Sequence, residues 1–513
     1  MYIICMLYAL HSIAQPLNSK QIDSLVELTL KTFNVPGIAV GIVKDGKLIH
    51  ARGYGIANLE TGKKVDEYTL FGIASNSKAF TTASISMLVD EGKMKWDDKV
   101  ITYIPDFKMY DPYVTNAFTI RDLVTHRSGL GLGAGDLMMW PDGSNFTRTD
   151  IIHNLRYLKP VSAFRTKYDY DNNLYIVAGE VISKVSGIPW EDFIEQRIMK
   201  PLGFQSSAAS LIRIKDKSNM IRPHAPVDGQ VKVIDVNWSE TANAAGGIWS
   251  NINDLSKWVI LQLNHGKYGE GLNQHLFSEN MHEEMWSPQT IINSVTRPPY
   301  NTHFSAYGLG WFLSDIKGYK QVTHTGGLAG IVTQVVLFPE LNLGIMVLTN
   351  QQSGAAFSSI SNSIKDGYLG ITGQNWVKSF SDREKAGFEE ANKIKLKVEA
   401  DIAAAQQKTG NAFNFKPFLG TYHDTWFGNI VLSIKNGKPW IASVRSPKLQ
   451  GELLSFKGNT LIAKWTDRSM DADVFLNFSY DTNGKPSRFT MKPISPLTDF
   501  SFDFQDLDLK RIK

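Results

Sequence analysis

In the stretch Ser75-Asn76-Ser77-Lys78 a hydroxyl and an amine stand three residues apart, ahead of a helical pattern in which Phe80, Ala83, Ile85, Leu88 and Val89 precede Gly92. Residues i and i+3 of a helix share a face, so Lys78 can reach the hydroxyl of Ser75. A serine hydroxyl is a poor nucleophile until a base takes its proton, and a lysine can do so once its surroundings lower its pKa. A helix N-terminus adds partial positive charge and free N–H groups where a carbonyl oxygen would become negative. The same serine also fits a helix N-cap. A chain of 513 residues holds about two S-x-x-K matches by chance. The second here, Ser314 to Lys317, falls in a strand-and-turn region where i and i+3 point to opposite faces.

Two further clusters could complete such a site. Tyr170-Asp171-Asn172 follows Phe164 and Tyr168 and precedes a helical run from Leu174 to Val185. A tyrosine there could accept the serine proton as phenolate and hand it to a leaving group, and Asn172 could hold a substrate amide. An aromatic loop packed on a core, with the asparagine as a cap, fits the same residues. His324-Thr325-Gly326-Gly327 ends one strand and begins a hairpin. A strand bordering a pocket can offer backbone N–H groups to a substrate oxygen, and glycines let substrate approach the backbone. Lys408-Thr409-Gly410 has a similar pattern, but it lies at the end of a helix, where Gly410 reads as a C-cap.

The elements that must position these residues are legible from periodicity. Residues 18–34 read as an amphipathic helix. The apolar run Ile38 to Val43, the turn Asp45-Gly46 and the run Leu48 to Ile56 read as a β-hairpin. Residues 320–349 alternate like strands. Strands at both ends of a stretch with helices between them suggest one sheet built from the two termini of an α/β domain. Residues 381–409 are densely charged, with Phe388, Ala391, Ile394, Val398, Ile402 and Ala405 recurring every three or four positions, which predicts one long connector helix. After Gly410, short alternating runs are separated by turns such as Asn436-Gly437 and Thr482-Asn-Gly-Lys485, the pattern of an all-β barrel or sandwich.

Composition excludes other classes. The net charge is +4 and no Lys/Arg cluster stands out, so a nucleic-acid partner is not expected. No apolar run reaches the roughly 18 residues of a spanning helix. There is no metal-site spacing such as H-E-x-x-H and no phosphate-binding glycine pattern after a strand, so no metal and no cofactor are expected. Residues 1–14 are read as a signal peptide: an apolar stretch ending in Ser12-Ile13-Ala14, without a basic n-region. An exported, periplasmic or secreted protein is therefore expected. Cys5 is the single cysteine. Its removal with that segment would leave neither a disulfide nor a thiol nucleophile.

Taken together, the order Ser-x-x-Lys, Tyr-x-Asn, His-Thr-Gly, at separations of 95 and 154 residues, resembles the penicillin-recognising serine hydrolases. Their motif set is S-x-x-K, a polar x-Asn triplet and K-T-G. The Tyr-x-Asn variant looks like class C β-lactamases and the related D,D-peptidases, D-aminopeptidases and esterases. Thr119 to Leu130, Met199 to Gly203, Ala245 to Ser250 and Asp254 match that group as well. The resemblance implies an α/β (α+β) β-lactamase/transpeptidase-like domain over residues 15–375, with a helical subdomain beside a mostly antiparallel sheet. A helical connector over 376–410 and a lipocalin-like β-barrel over 411–513 would follow.

By resemblance, Ser75 would be the acylated nucleophile, Lys78 and Tyr170 would share the proton transfer, and Asn172 would orient the substrate amide. His324 and Thr325 would line the pocket with Gly326 and Gly327, and the N–H groups of Ser75 and Gly327 would form the oxyanion hole. His324 stands where β-lactamases carry lysine. A mostly neutral histidine attracts a substrate carboxylate less, which disfavours efficient β-lactam hydrolysis. The implied substrates are a small peptide, an ester or a β-lactam. The leading reading is a hydrolase of peptides or peptidoglycan fragments bearing D-residues. Beside it stand a carboxylesterase, a weak class C-type β-lactamase and a non-hydrolytic penicillin-binding sensor. The barrel reads either as a solubility or homo-oligomer module or as a cap over the site, and His126 reads as structural.

Overall fold

The computed structural model of the protein describes residues 15–409 and 413–513. The expected signal peptide, Cys5 and the Gly410 cap lie outside the described residues. Helix α1 (Ser19–Phe33) begins with a capping box: Asn18 accepts from the Gln21 N–H at 3.1 Å, while the Gln21 side chain accepts from the Asn18 N–H at 2.9 Å. It ends at Asn34, which takes a left-handed φ of 52°. Strands β1 (Gly37–Lys44) and β2 (Lys47–Asn58) form the hairpin the sequence predicts. Asp45 and Gly46 both have positive φ, as a tight hairpin turn with the twist of the strands requires.

The main sheet has nine strands, all antiparallel. With β3 (Lys63–Lys64), β4 (Thr290–Ile292), β5 (Ser305–Tyr307), β6 (Phe312–Ile316), β7 (Tyr319–Leu328), β8 (Ile331–Phe338) and β9 (Leu343–Thr349), its order is β4-β5-β6-β7-β8-β9-β1-β2-β3. The first strand thus pairs with the last, Val40 opposite Val347, which joins the two ends of the domain as expected. Both faces of β1 are covered. Ile38, Val40 and Ile42 pack with Ile22 and Val26 of α1 and Ile360 of α5 (Gly354–Leu369), whereas Ala39 and Val43 join the larger core on the other side. Burial of each such aliphatic side chain contributes about 1.5–3 kcal/mol.

The helical subdomain is centred on α2 (Ser77–Asp90), whose residues are buried from Ser77 to Leu88. A helix enclosed on every side must satisfy its hydroxyls internally. Thr81 donates to the Ala244 carbonyl at 2.7 Å and Ser84 to the Phe80 carbonyl at 2.8 Å. Helix α3 (Asn173–Ser186) packs across α2, and its Gly179 faces Ala244 so closely that a Cβ would lie 2.6 Å away. Helix α4 (Ile252–Leu263) covers the sheet beside β1.

Helix α6 runs from Trp376 to Thr409. It starts five residues before the charged repeat suggests, because Asn375 caps it, accepting from the Lys378 N–H at 3.0 Å. Ala391 and Val398 of the expected stripe are buried, but Phe388 is exposed. The C-terminal module is a closed barrel of eight sequential antiparallel strands from Gly420–Asp424 to Leu509–Arg511. Closure removes free edges. Of the four barrel aromatics whose types suit a core, Trp426, Phe427 and Trp465 are buried, whereas Trp440 is partly exposed. The barrel docks on the helical subdomain through polar contacts: Arg445 meets Asp150 at 2.8 Å, and Lys448 meets the buried Asp142 at 2.8 Å. No helix among the described residues is long and apolar enough to cross a membrane.

Candidate active site

Ser75 lies in a single 3-10 turn, Ala74–Asn76, and α2 begins two residues later at Ser77. The sequence pattern suits a serine that opens the helix or caps it. Instead, the cap position falls on Asn76, which makes no side-chain capping bond. Ala74 takes a left-handed φ of 51°, a conformation that costs a non-glycine residue about 1–2 kcal/mol. The surroundings hold it there. The Ile73 N–H donates to the Ile248 carbonyl, and the Ile73 carbonyl accepts from the Thr333 hydroxyl, both at 2.9 Å. The result is a partly exposed serine between buried neighbours.

The i,i+3 spacing still brings the lysine to the serine. Lys78 is fully buried, and its Nζ lies 2.9 Å from Ser75 Oγ, 2.8 Å from Asn172 Oδ1 and 2.9 Å from the Ala245 carbonyl. Burial pushes its pKa down from 10.5 to about 7, with the nearby Asp136 carboxylate working in the opposite direction. Half the amine is thus neutral near pH 7, as a base requires. The Tyr170 hydroxyl bonds Ser75, and burial drives its pKa far above the usual phenol value. It is therefore a phenol at rest, not the phenolate the sequence reading considered. The Lys78 ammonium stands 4.8 Å from the centre of the Tyr170 ring.

His126 packs against that ring, with centroids 4.2 Å apart, and its Nδ1 accepts from the Asp171 N–H at 3.0 Å. This buried histidine fixes the loop that carries Tyr170 and Asn172. The Asn172 amide is engaged at both ends, accepting from Lys78 and donating from Nδ2 to Asp136 Oδ2 at 2.8 Å.

Strand β7 borders the site with the alternation a strand imposes. Thr325 and Gly327 face outward, while His324 and Gly326 are buried. Gly326 has no room for a side chain: a Cβ would lie 2.4 Å from the Ile73 carbonyl and 2.8 Å from the Ala74 Cβ. Its absence lets the strand lie against the serine turn. His324 Nδ1 donates to the Thr325 carbonyl at 2.6 Å, and Nε2 accepts from the Tyr307 hydroxyl at 3.0 Å. Burial, reinforced by Lys78, lowers its pKa to about 3. The ring is neutral and offers no charge to a substrate.

These groups surround a cavity of about 460 Å³. Its wall is largely aromatic and aliphatic, including Trp140, Trp238, Phe312 and Leu328, and carries the carboxylates of Asp136 and Asp499. Neither lysine nor arginine contributes to it among the described residues. Part of the wall is the barrel: Asp499, Phe500 and Ser501 face the same space as Ser75, and the Phe500 ring meets Tyr170 edge-on at 6.1 Å. Of the two readings of the barrel, this geometry favours the cap.

Ser75, Tyr170, Asn172, His324, Thr325 and Gly327 line one cavity, while Lys78 lies behind its wall, bonded to Ser75, and Gly326 packs against the serine turn. Sequence reasoning missed Asp136, Tyr307 and the barrel residues. None sits in a recognisable motif, and their proximity depends on chain segments far apart in sequence.

Residues 22–363 match the β-lactamase family, and residues 404–511 match DUF3471, a domain of unknown function. The unguisins hydrolase ungD' of Aspergillus campestris (strain IBT 28561) is 29% identical over 379 residues, 70% of this chain and 68% of that protein. Protein flp of Staphylococcus aureus (strain NCTC 8325 / PS 47) is 27% identical over 345 residues, 66% of this chain and 64% of that protein. The chain thus spans about two thirds of the length of these relatives. Among solved structures, the octameric penicillin-binding protein homologue from Pyrococcus abyssi superposes with a TM-score of 0.61 at 20% identity, covering 96% of this chain and all of that one. A class C β-lactamase gives 0.54 at 21% identity, over 69% of this chain and 96% of its own. The structural likeness speaks for the fold, and the match over residues 22–363 speaks for descent: the chain belongs to the β-lactamase family of hydrolases.

Proposed function

We propose that the protein is a serine hydrolase that cleaves amide or ester bonds through an acyl-enzyme on Ser75. The observation that carries this reading is the 2.9 Å contact between Oγ of Ser75, which lines the cavity, and the amine of a fully buried Lys78. Neutral Lys78 takes the serine proton as Oγ attacks the substrate carbonyl. Tyr170, bonded to the same hydroxyl, passes a proton to the leaving group, and water then releases the acyl group by the reverse path. The N–H groups of Ser75 and Gly327 hold the oxyanion.

As substrate class we propose peptides or peptidoglycan fragments bearing D-residues, which rests on the Tyr-x-Asn and His-Thr-Gly pattern. A carboxylesterase is the second reading, favoured by the apolar wall. Among the described residues that wall has no lysine or arginine to anchor a carboxylate, which also weighs against efficient turnover of penicillins. Export of the protein, and a homo-oligomer formed through its barrel, belong to the same proposal.

The test is intact mass after incubation with a fluorophosphonate and, separately, with a penicillin, on wild type and Ser75→Ala. A Ser75-dependent fluorophosphonate adduct is expected. Labelling that persists in Ser75→Ala, or its absence from both proteins, would refute the mechanism. D-amino amides against simple esters then separate the two substrate readings.

A further inference from the structure

Asp136 lies in the short turn Asp136–Met138 and is wholly buried. Its Oδ2 accepts from Asn172 Nδ2 at 2.8 Å and from the Ser501 hydroxyl of the barrel at 2.9 Å. Its Oδ1 has no hydrogen-bond partner among the described residues. The backbone on both sides of Asp136 is held from the barrel as well. Asp503 accepts from the Gly135 N–H at 2.7 Å and from the Leu137 N–H at 2.9 Å.

An asparagine amide has a donor end and an acceptor end. With Nδ2 committed to Asp136, Oδ1 must face Lys78. The flipped amide would set its N–H groups against the ammonium and its oxygen against the carboxylate, two repulsive contacts. The orientation of Asn172 therefore follows from Asp136, and with it one of the two acceptors, beside the Ala245 carbonyl, that aim Nζ at Ser75.

We infer that Asp136 is a positioning residue of the acylation site, and that the barrel completes that site by anchoring it through Ser501 and Asp503. This rests on the proposed role of Ser75 and Lys78. The inference also has an electrostatic side, because a buried carboxylate with no ion pair of its own is costly to keep. Burial pushes Asp136 up to about 7, against the hydrogen bonds from Asn172 and Ser501 and the charge of Lys78, with Asp499 adding to the rise. Asp503 and Asp171 also face it. Around Lys78 stand Tyr170, Tyr175, His126, His324 and Asp136, and of these Asp136 is the group that favours its protonated form.

The experiment is the second-order rate of fluorophosphonate labelling between pH 5 and 9 on the full chain, for wild type, Asp136→Asn and Ser501→Ala. Asp136→Asn keeps the shape but loses the charge. Its acid limb is expected to move to lower pH by about one unit, and its plateau to fall about fivefold, because a neutral acceptor holds Asn172 less tightly. Ser501→Ala is expected to lower the plateau about tenfold, with a smaller displacement of the limb in the same direction. Wild-type rates and limb in Asp136→Asn would overturn the inference. So would a loss of rate with an unmoved limb in both variants, which marks a packing role only. Should Asp136→Asn fail to fold by near-ultraviolet circular dichroism, Ser501→Ala decides, and a wild-type rate there overturns the proposal. Failure of wild type to label at Ser75 at all would refute the proposed mechanism instead, a different result from any of these.

Discussion

The pH dependence of acylation gives the most direct test of Lys78 as base. A solvated lysine with a pKa of 10.5 is neutral in only about one molecule in 3,000 at pH 7. Burial brings Lys78 to about 7, so about half of it is neutral there. The gain in available base is therefore roughly a thousandfold. The sign follows from the role. Burial has lowered the pKa, and the base acts when deprotonated, so the rate should rise tenfold per pH unit up to about 7 and level off above it. His324, lowered to about 3 by burial, stays neutral across this range and adds no limb, burial likewise pushes His126 down, and Asp136, raised to about 7, titrates together with Lys78. The assay is the second-order rate constant for fluorophosphonate labelling of Ser75 between pH 5 and 9, read by intact mass. A rate still rising tenfold per unit at pH 9 would mean that Lys78 keeps an ordinary pKa. A flat profile would mean that its proton is not involved. Lys78→Arg, charged at every accessible pH, should lose at least a thousandfold.

Gly326→Ala drives a methyl group to within 2.4 Å of the Ile73 carbonyl. It should cost about 1–3 kcal/mol of stability and displace the serine turn, read as a lower denaturation midpoint together with at least a hundredfold slower labelling. Asp503→Ala leaves the Gly135 and Leu137 N–H groups without their acceptor and should destabilise the protein by about 2–4 kcal/mol, measured by urea denaturation. Phe500→Ala removes a ring from the pocket wall beside Tyr170. It should raise KM several-fold for substrates with aromatic acyl groups and change kcat less; an equal effect on small acetyl substrates would contradict contact with the acyl group.

Much of the fold is legible in the sequence because its signals are local. The Asp45-Gly46 turn, the alternation of residues 320–349, the charged repeat of α6 and the turn-punctuated runs of the barrel each reflect the geometry of a few neighbouring residues. The Ser75–Lys78 contact is legible for the same reason, since three residues span one helical turn even though the first of them sits in a 3-10 turn. Tyr170 and His324 can be proposed as partners only through the order of motifs.

Tertiary structure decides the rest, because burial and long-range contact set the chemistry. Nothing near Lys78 in sequence brings its pKa to about 7; enclosure on all sides of α2 does. Gly326 resembles any strand glycine until the serine turn is packed against it. Asp136 and Ser501 are unremarkable residues 365 positions apart, and no periodicity links them. Docking of the barrel on the helical subdomain brings them together, in a region dry enough for one hydroxyl to matter to a buried carboxylate.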